Sequence, residues 1–576
     1  MHELVTAWQR DWRIAQLREE LGAALAVTVV GVPQGVAYAV VAGLPPIMGL
    51  FAGALPAIVA SAFRSSRHVV TGPTNALSLL VGTTVAVQAN DPVAAATTLA
   101  VMIGLIQVAA GGLRLGSIVD YVSAAVVTGY VTGAGILIAV GQLPALTGIP
   151  RVSGDLITQL WGWVSGLSGT HLPSLALGLL TVAALLLARQ RLGKSGAAIL
   201  AVVGSGVLVW ALGARASDIA LVGDLAATES GLPSLTWPDF SLVDDLWPVA
   251  FAGVLLSLVE STSVARSIAS KTGQRLSLQL EFIGTGLANL VAGLGSGYPV
   301  SGSLARSTLN VQSGARTRFS GMLSGALMLV VLLGLGPLVD RLPMPALAGL
   351  IVVIAADLVD FSRIRRLLRA TFADRLAFLG TLLGTFALPL DQAIAVGVGI
   401  NLVLFLRQSQ WIVVRELRVN EDGLLQEVEP DAVVPGLRRC PAIRILHLEG
   451  PLFFGAAGAL DDALTEAMAD PAVRVVVVRL KRASGLDFTT AEVFAQAHRR
   501  MVASDRRLML VGLRPKMIET LARSGVAEAL GDAVYPTQPG WFVAMREALA
   551  AAVASLPPHH PEGIECPVAT VTDPDG

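Results

Sequence analysis

The chain has 576 residues, 53% of them hydrophobic and only 14% charged, with a net charge of −1. Soluble globular chains carry about 25% charged residues. This composition therefore excludes an ordinary soluble enzyme, lacks the basic excess of a nucleic-acid binder, and describes a multi-span membrane protein. The 59 glycines and 30 prolines agree with that reading, because membrane helices tolerate both. Two cysteines, Cys440 and Cys566, cannot build a disulfide framework. The sequence has no Cys/His metal spacing, P-loop or dinucleotide fingerprint. No metal, cofactor or ATP hydrolysis is expected.

Residues 1–20 are polar and amphipathic, with Trp8 and Trp12 beside Arg10, Arg13 and Arg18, which predicts a helix lying on the membrane surface. The segment 21–410 is read as the membrane domain. Its fourteen apolar stretches are 21–42, 44–62, 74–90, 93–111, 118–142, 173–188, 197–213, 246–264, 280–294, 301–314, 319–339, 345–359, 372–388 and 391–406. Several fall short of the ~20 residues that cross ~30 Å of hydrocarbon, so they must be broken or covered by protein.

The loops support this count. With the N-terminus inside, the inner loops carry Arg64, Arg67, Arg114, Arg189, Arg191, Lys194, Arg266, Lys271 and Arg275. They continue with Arg316, Arg318, Arg363, Arg365, Arg366, Arg369 and Arg407. The outer loops carry only Arg151, Arg215 and Arg341. This bias requires an even number of spans and predicts that both termini are cytosolic.

Charged residues become frequent after about residue 408. Strands are predicted at 443–449, 473–480 and 507–513, with helices at 456–468, 489–502, 515–525 and 541–554. The alternation implies a small α/β domain over 430–555. Residues 556–576 are Pro-rich and acidic and are expected to be disordered.

Two short stretches stand out within the membrane domain. One begins at Thr74-Asn75 after Thr71-Gly72-Pro73, and the other at Ser301-Gly302-Ser303 after a Gly-rich run ending in Tyr298-Pro299. Each reads as an extended segment followed by a short helix, entering from opposite sides of the membrane. Helix N-termini carry unpaired N–H groups and a positive dipole end, which together form an anion site. Their matching third positions in spans 1–7 and 8–14 suggest an inverted repeat and point to a transporter site. Pro-kinked packing helices are the alternative.

Arg306 lies one turn into the second short helix, and Glu260 lies deep in the eighth span before Ser261, Thr262 and Ser263. Ionisable groups within spans usually face a cavity or a partner. An anion would relieve the conflict between Arg306 and the dipole, and Glu260 near Arg306 would form a proton-coupling device. A structural ion pair, or Na⁺ held by the acid and nearby hydroxyls, is also compatible. In span one, Pro33 interrupts the helix, Gln34 offers an amide donor, and Tyr38 follows one turn later on the same face. Asp120, Glu281, Asp357 and Asp360 fall at span ends, where capping roles are commoner.

These residues resemble the SulP family of sulfate permeases and related anion transporters, which includes prestin. The resemblance rests on Val32-Pro33-Gln34-Gly35-Val36-Ala37-Tyr38-Ala39, Ala42 to Leu50, Thr71 to Thr74 and Tyr298 to Ser307, and on a tail similar to a STAS domain. It implies an all-α polytopic membrane domain of 14 spans in a 7+7 inverted repeat, followed by a small cytosolic α/β STAS domain. It also implies a homodimer in the plasma (inner) membrane with elevator-like movement. Gln34, Tyr38, Thr74, Ser301, Ser303 and Arg306 would bind the anion, and Glu260, paired with Arg306, would carry the coupling proton. The implied function is proton–sulfate symport, with bicarbonate or C4-dicarboxylate transport, Na⁺ coupling, or an uncoupled channel or sensor as alternatives. Ala305 departs from the Ser common before that Arg. Asp487 is followed by Phe488 where phospho-switch STAS domains carry Ser or Thr, so the tail is expected to serve assembly or a cytosolic partner.

Overall fold

The computed structural model describes the chain apart from residues 1–7, 10, 12–16, 89–90, 117–122, 151, 153–155, 214–217, 225–232, 340, 410–411, 431, 540–541, 557–565 and 572–576. The readings of Arg10, Trp12, Arg13, Asp120, Arg151 and Arg215 fall outside the described residues. The chain folds as two units, Met1–Asn401 and Leu402–Gly576.

The first unit is helical. Its first half contains α1 (Leu17–Val41), α2 (Pro46–Phe63), the two-residue strand β1 (Thr71–Gly72), α3 (Asn75–Gln88), α4 (Pro92–Gly112), α5 (Ala124–Thr147), α6 (Leu156–Ser165) and α7 (Leu172–Leu212). The second half contains α8 (Val243–Thr272), α9 (Leu278–Leu294), β2 (Ser301–Gly302), α10 (Leu304–Gln312), α11 (Phe319–Val339), α12 (Met344–Leu358), α13 (Phe361–Arg369), α14 (Phe372–Ala387) and α15 (Leu390–Ser409). Among the described residues, seven helices are long and apolar enough to cross a membrane alone.

Three expectations change. Spans 173–188 and 197–213 lie within one hydrogen-bonded helix, α7, of 41 residues. Its two apolar stretches, Leu172–Arg191 and Gly196–Leu212, remain separate. The loop expected after residue 359 holds the extra helix α13. The N-terminal segment, expected to lie on the membrane surface, packs on protein through its described residues: Asp11 is fully buried and bonds Arg318 at 2.7 Å. Trp8 Nε1 donates to the Ala62 carbonyl at 3.0 Å, and its ring lies under the Arg318 guanidinium at 5.3 Å. Asp11 pairs with arginines of two loops, Arg67 and Arg318, which periodicity does not reveal.

Small residues let the helices approach closely. A Cβ on Gly104 of α4 would sit 2.6 Å from the Leu290 nitrogen of α9, and one on Gly286 would sit 2.7 Å from the Val108 nitrogen. Such contacts replace the hydrophobic driving force that lipid does not supply. Leu77, Leu80, Leu99 and Phe282 are fully buried around this seam.

The second unit is a six-stranded sheet in the order β4 (Leu425–Val428), β3 (Val413–Val419), β5 (Ile443–Pro451), β6 (Val475–Ser484), β7 (Arg507–Leu513) and β8 (Val534–Pro536). β5 to β8 run parallel, while β3 is antiparallel to both β4 and β5. The continuous Val475–Val478 run serves both faces of the sheet. Val476 and Val478 meet α16 (Ala457–Ala469), α17 (Phe488–Val502), α18 (Pro515–Arg523) and α19 (Val526–Leu530), whereas Val475 and Val477 meet α20 (Val543–Ala554). This double burial explains the unbroken β-branched run.

The strands and helices expected for 443–554 are present, but the sheet begins before the expected boundary at 430, with the β3–β4 hairpin. The charges of β3 conceal a strand that lies between β4 and β5, with Glu416 buried among Arg418, Arg439 and Arg444. The expected disorder of 556–576 is also corrected in part. Cys566 and Cys440 are joined in a disulfide, and Val568 is buried. One bridge across 126 residues leaves no spacing signature. The rest of that tail, 557–565 and 572–576, lies outside the described residues.

Phe494 of α17 is fully buried. Phe494→Ala should destabilise this unit by about 3–5 kcal/mol. Denaturant unfolding monitored by a probe in the second unit should show a lower midpoint; an unchanged midpoint would contradict this packing.

Candidate functional site

The two extended segments at membrane depth solve each other's hydrogen-bonding problem. Lipid offers no partner for free backbone groups, and β1 pairs antiparallel with β2, placing Thr71 opposite Gly302 and Gly72 opposite Ser301. The Ser303 amide donates to the Val70 carbonyl at 3.0 Å, and the Val70 amide donates to Ser307 Oγ at 2.9 Å. α3 starts at Asn75, just past Pro73 and Thr74, and α10 starts at Leu304, where the Ser303 hydroxyl accepts from the Arg306 amide at 3.4 Å. Both helix starts therefore flank one small sheet. Ser301, expected to open the helix, lies in β2, and its hydroxyl donates to the Ser257 carbonyl at 2.9 Å. The helix starts later because residues 301–302 are committed to the strand.

Side chains from α8 and α9 hold this segment. Ser257 Oγ donates to the Val300 carbonyl at 2.9 Å, and Ser261 Oγ accepts from the Gly302 amide at 3.2 Å. Asn289 serves both backbone groups of Val300, with Oδ1 accepting from its amide at 2.8 Å and Nδ2 donating to its carbonyl at 3.0 Å. Asn289 Nδ2 also donates to Gln107 Oε1 at 2.9 Å. Ser257, Asn289 and Gln107 were not singled out in the sequence, although each is a polar residue inside an apolar stretch.

Arg306 is 2% exposed. Its Nη2 donates to the Pro73 carbonyl at 2.7 Å, at the foot of the other half-helix. The guanidinium fits because the surrounding backbones lack side chains. A Cβ on Gly72 would collide with it. Glu260 is half-buried, and its Oε2 accepts from the Thr74 hydroxyl at 2.9 Å. Ser301 is its second neighbour.

The expected direct pairing of Glu260 with Arg306 is absent among the described residues. The glycine-lined slot and the Pro73 carbonyl draw the guanidinium toward α2 and β1, while the acid binds hydroxyls. Tyr38 is buried within electrostatic reach of both charges, and Gln34 is buried with no partner for its Oε1. The structure thus gathers Tyr38, Thr74, Glu260, Ser301, Ser303 and Arg306 around the paired helix starts, with Gln34 one turn before Tyr38.

The remaining acids have structural partners. Glu281 is fully buried, accepts from Ser65 Oγ at 2.7 Å and the Ser66 amide at 2.6 Å, and faces Arg64 at 3.8 Å. Asp357 pairs with Arg189 at 2.7 Å, and Asp360 caps α13 through the Arg363 amide. In the second unit, Glu427, His447 and Glu449 converge. Arg482 donates to Glu449 at 2.6 Å and holds its carboxyl below the usual range, so this corner is an ion cluster already supplied with a cation. Asp487 caps α17 in a capping box with Thr490.

The Sulfate permease family profile matches residues 17–381, and a STAS domain profile matches 435–539. The chain is 27% identical over 555 residues to the "Probable sulfate transporter MT1781" of Mycobacterium tuberculosis, covering 94% of this chain and 96% of that one. The murine Solute Carrier 26 family member A9 anion transporter in the inward-facing state superposes with a TM-score of 0.83 at 19% identity, over 94% and 92% of the two chains. The transmembrane domain of the cyanobacterial bicarbonate transporter BicA superposes with a TM-score of 0.57 at 22% identity, over 67% and 98%. The fold is a fourteen-span membrane domain with a seven-plus-seven inverted repeat, followed by a STAS domain.

Asn289→Ala would strand the Val300 amide, while the Val300 carbonyl keeps its bond from Ser257 Oγ, at about 1–3 kcal/mol for the one unsatisfied buried group. It should lower the thermal stability of the purified protein and weaken anion binding together; unchanged values would remove Asn289 from the support of the site.

Proposed function

Since the chain belongs to the Sulfate permease family and is a multi-pass anion transporter, we propose that it is a secondary active proton–sulfate symporter. The observation that carries this reading is the meeting of two helix N-termini at one strand pair, with a buried arginine at one and an acid bonded to the other. The anion sits between the starts of α3 and α10, where amide donors and two positive dipole ends converge. Arg306 leaves the Pro73 carbonyl to bind it. Gln34, Tyr38, Thr74, Ser301 and Ser303 orient it.

Glu260 carries the coupling proton. Its contacts here are hydroxyls, which serve either protonation state, because a hydroxyl both donates and accepts. With the site empty it rests on the Thr74 hydroxyl while Arg306 rests on the Pro73 carbonyl, and it takes a proton when the anion claims the arginine. We place the protein in the plasma (inner) membrane as a homodimer with both termini cytosolic, working by elevator-like alternating access. The STAS domain serves assembly or a cytosolic partner. Likeness to a bicarbonate transporter makes bicarbonate the second substrate to test.

The test is uptake of labelled sulfate, bicarbonate and fumarate into proteoliposomes under imposed pH or Na⁺ gradients. Sulfate should accumulate when the outside is acid. Glu260→Gln should abolish proton-driven accumulation while sulfate exchange persists, and accumulation at the wild-type level would exclude the acid. Arg306→Ala should lose a charge-assisted hydrogen bond worth about 1.5–3 kcal/mol, weakening sulfate binding roughly 10- to 100-fold. Unaltered affinity would take Arg306 out of the site.

A further inference from the structure

Helix α13 (Phe361–Arg369) has no buried residue and carries arginines at 363, 365, 366 and 369. The stretch Met344–Arg369, of which it forms the end, is long and apolar enough to cross a membrane, and α14 (Phe372–Ala387) follows it. Its residues sort sharply around the helix. At the helical period the apolar side runs from Leu367 and Ile364 to Leu368 and Phe361, and Arg365 and Arg369 come next. Ile364 and Leu367 are spent on the protein, packing against Ala125, Val126, Ala377 and Phe378. Phe361 and Leu368 are bare, at 78% and 41% exposed, as is Phe372 just beyond the helix, at 67%.

The bare apolar edge is therefore bordered directly by Arg365 and Arg369. Neither forms an ion pair among the described residues. The acid of this element, Asp360, is engaged as the helix cap and acts electrostatically on Arg366 instead.

We propose that this edge binds an anionic phospholipid of the adjoining leaflet. Arg365 and Arg369 take the headgroup phosphate, and Phe361, Leu368 and Phe372 lie against its acyl chains. Charge complementarity selects the occupant, because a row of uncompensated guanidinium groups beside exposed apolar side chains matches an anion attached to hydrocarbon. A zwitterionic lipid would bring its own cation to the arginines, and a free phosphate would leave the apolar edge uncovered. The inference depends on the chain crossing a bilayer and not on which anion it transports.

The test is native mass spectrometry of the full-length protein after incubation with phosphatidylglycerol, phosphatidylcholine or glycerol phosphate. Phosphatidylglycerol should be retained and the other two lost. Each arginine near an anionic surface is worth about fivefold in affinity, so R365Q/R369Q should reduce retention roughly 25-fold on the same scale. R365K/R369K, which keeps both charges, should retain most of the lipid, whereas R363Q/R366Q removes equal charge from the water-facing side and should retain nearly all of it. Equal losses in the two glutamine pairs would mean diffuse surface charge and would overturn the proposal, as would equal retention of phosphatidylcholine or full competition by glycerol phosphate. Should the glutamine variants fail to fold, the three ligands on the wild-type protein decide.

Discussion

The membrane domain depends on four residues of strand. Thr71–Gly72 and Ser301–Gly302 come from the two halves of the chain, and neither pair could remain extended in hydrocarbon alone. Their pairing satisfies the backbone, ends the preceding extended runs and fixes where α3 and α10 begin. Without it the two short helices would be only kinked spans. With it, two sets of unpaired amide groups meet beside Arg306 and Glu260. The same breaks that prevent each segment from crossing as a helix leave two helix starts side by side.

The electrostatic arrangement follows from that pairing. A cation beside two positive helix ends is unfavourable without an anion. In this structure the conflict is eased by the Pro73 carbonyl, which accepts from the guanidinium, and by hydroxyls around the acid. The arginine reaches Pro73 only because Gly72 has no side chain. Glu260 and Arg306 thus stand at one site without touching, each held by a neutral partner that an incoming ligand would replace.

Much of this was legible in the sequence because it concerned composition and period. The apolar stretches, the Gly/Pro breaks at 71–73 and 293–299 and the strand run at 473–480 each carry a local physical signal. What was not legible depended on distance in sequence. Nothing near Ser301 reveals that residues 71–72 will claim its backbone, so it reads as a helix start. Asn289 looks like an isolated polar residue until Val300 is seen beside it. The β3–β4 hairpin is concealed by charges that its edge position buries with arginines, and the Cys440–Cys566 bridge spans too much chain to leave a pattern. The expected Glu260–Arg306 pair was chemically reasonable, but it could not account for a competing carbonyl supplied by the other half of the fold.

The contact between Asn289 and Val300 has an evolutionary consequence. One side chain reads both backbone groups of its partner, accepting with Oδ1 and donating with Nδ2. An aspartate of the same shape offers no donor when ionised, and glutamine is one methylene longer. The partner, by contrast, is read only through its peptide groups, so the identity of its side chain is not inspected. Constraint at this junction therefore falls on one residue of the pair. As sequences diverge, position 300 is free to drift among residues that fit the space while position 289 stays fixed, and the two will show no covariation although they touch.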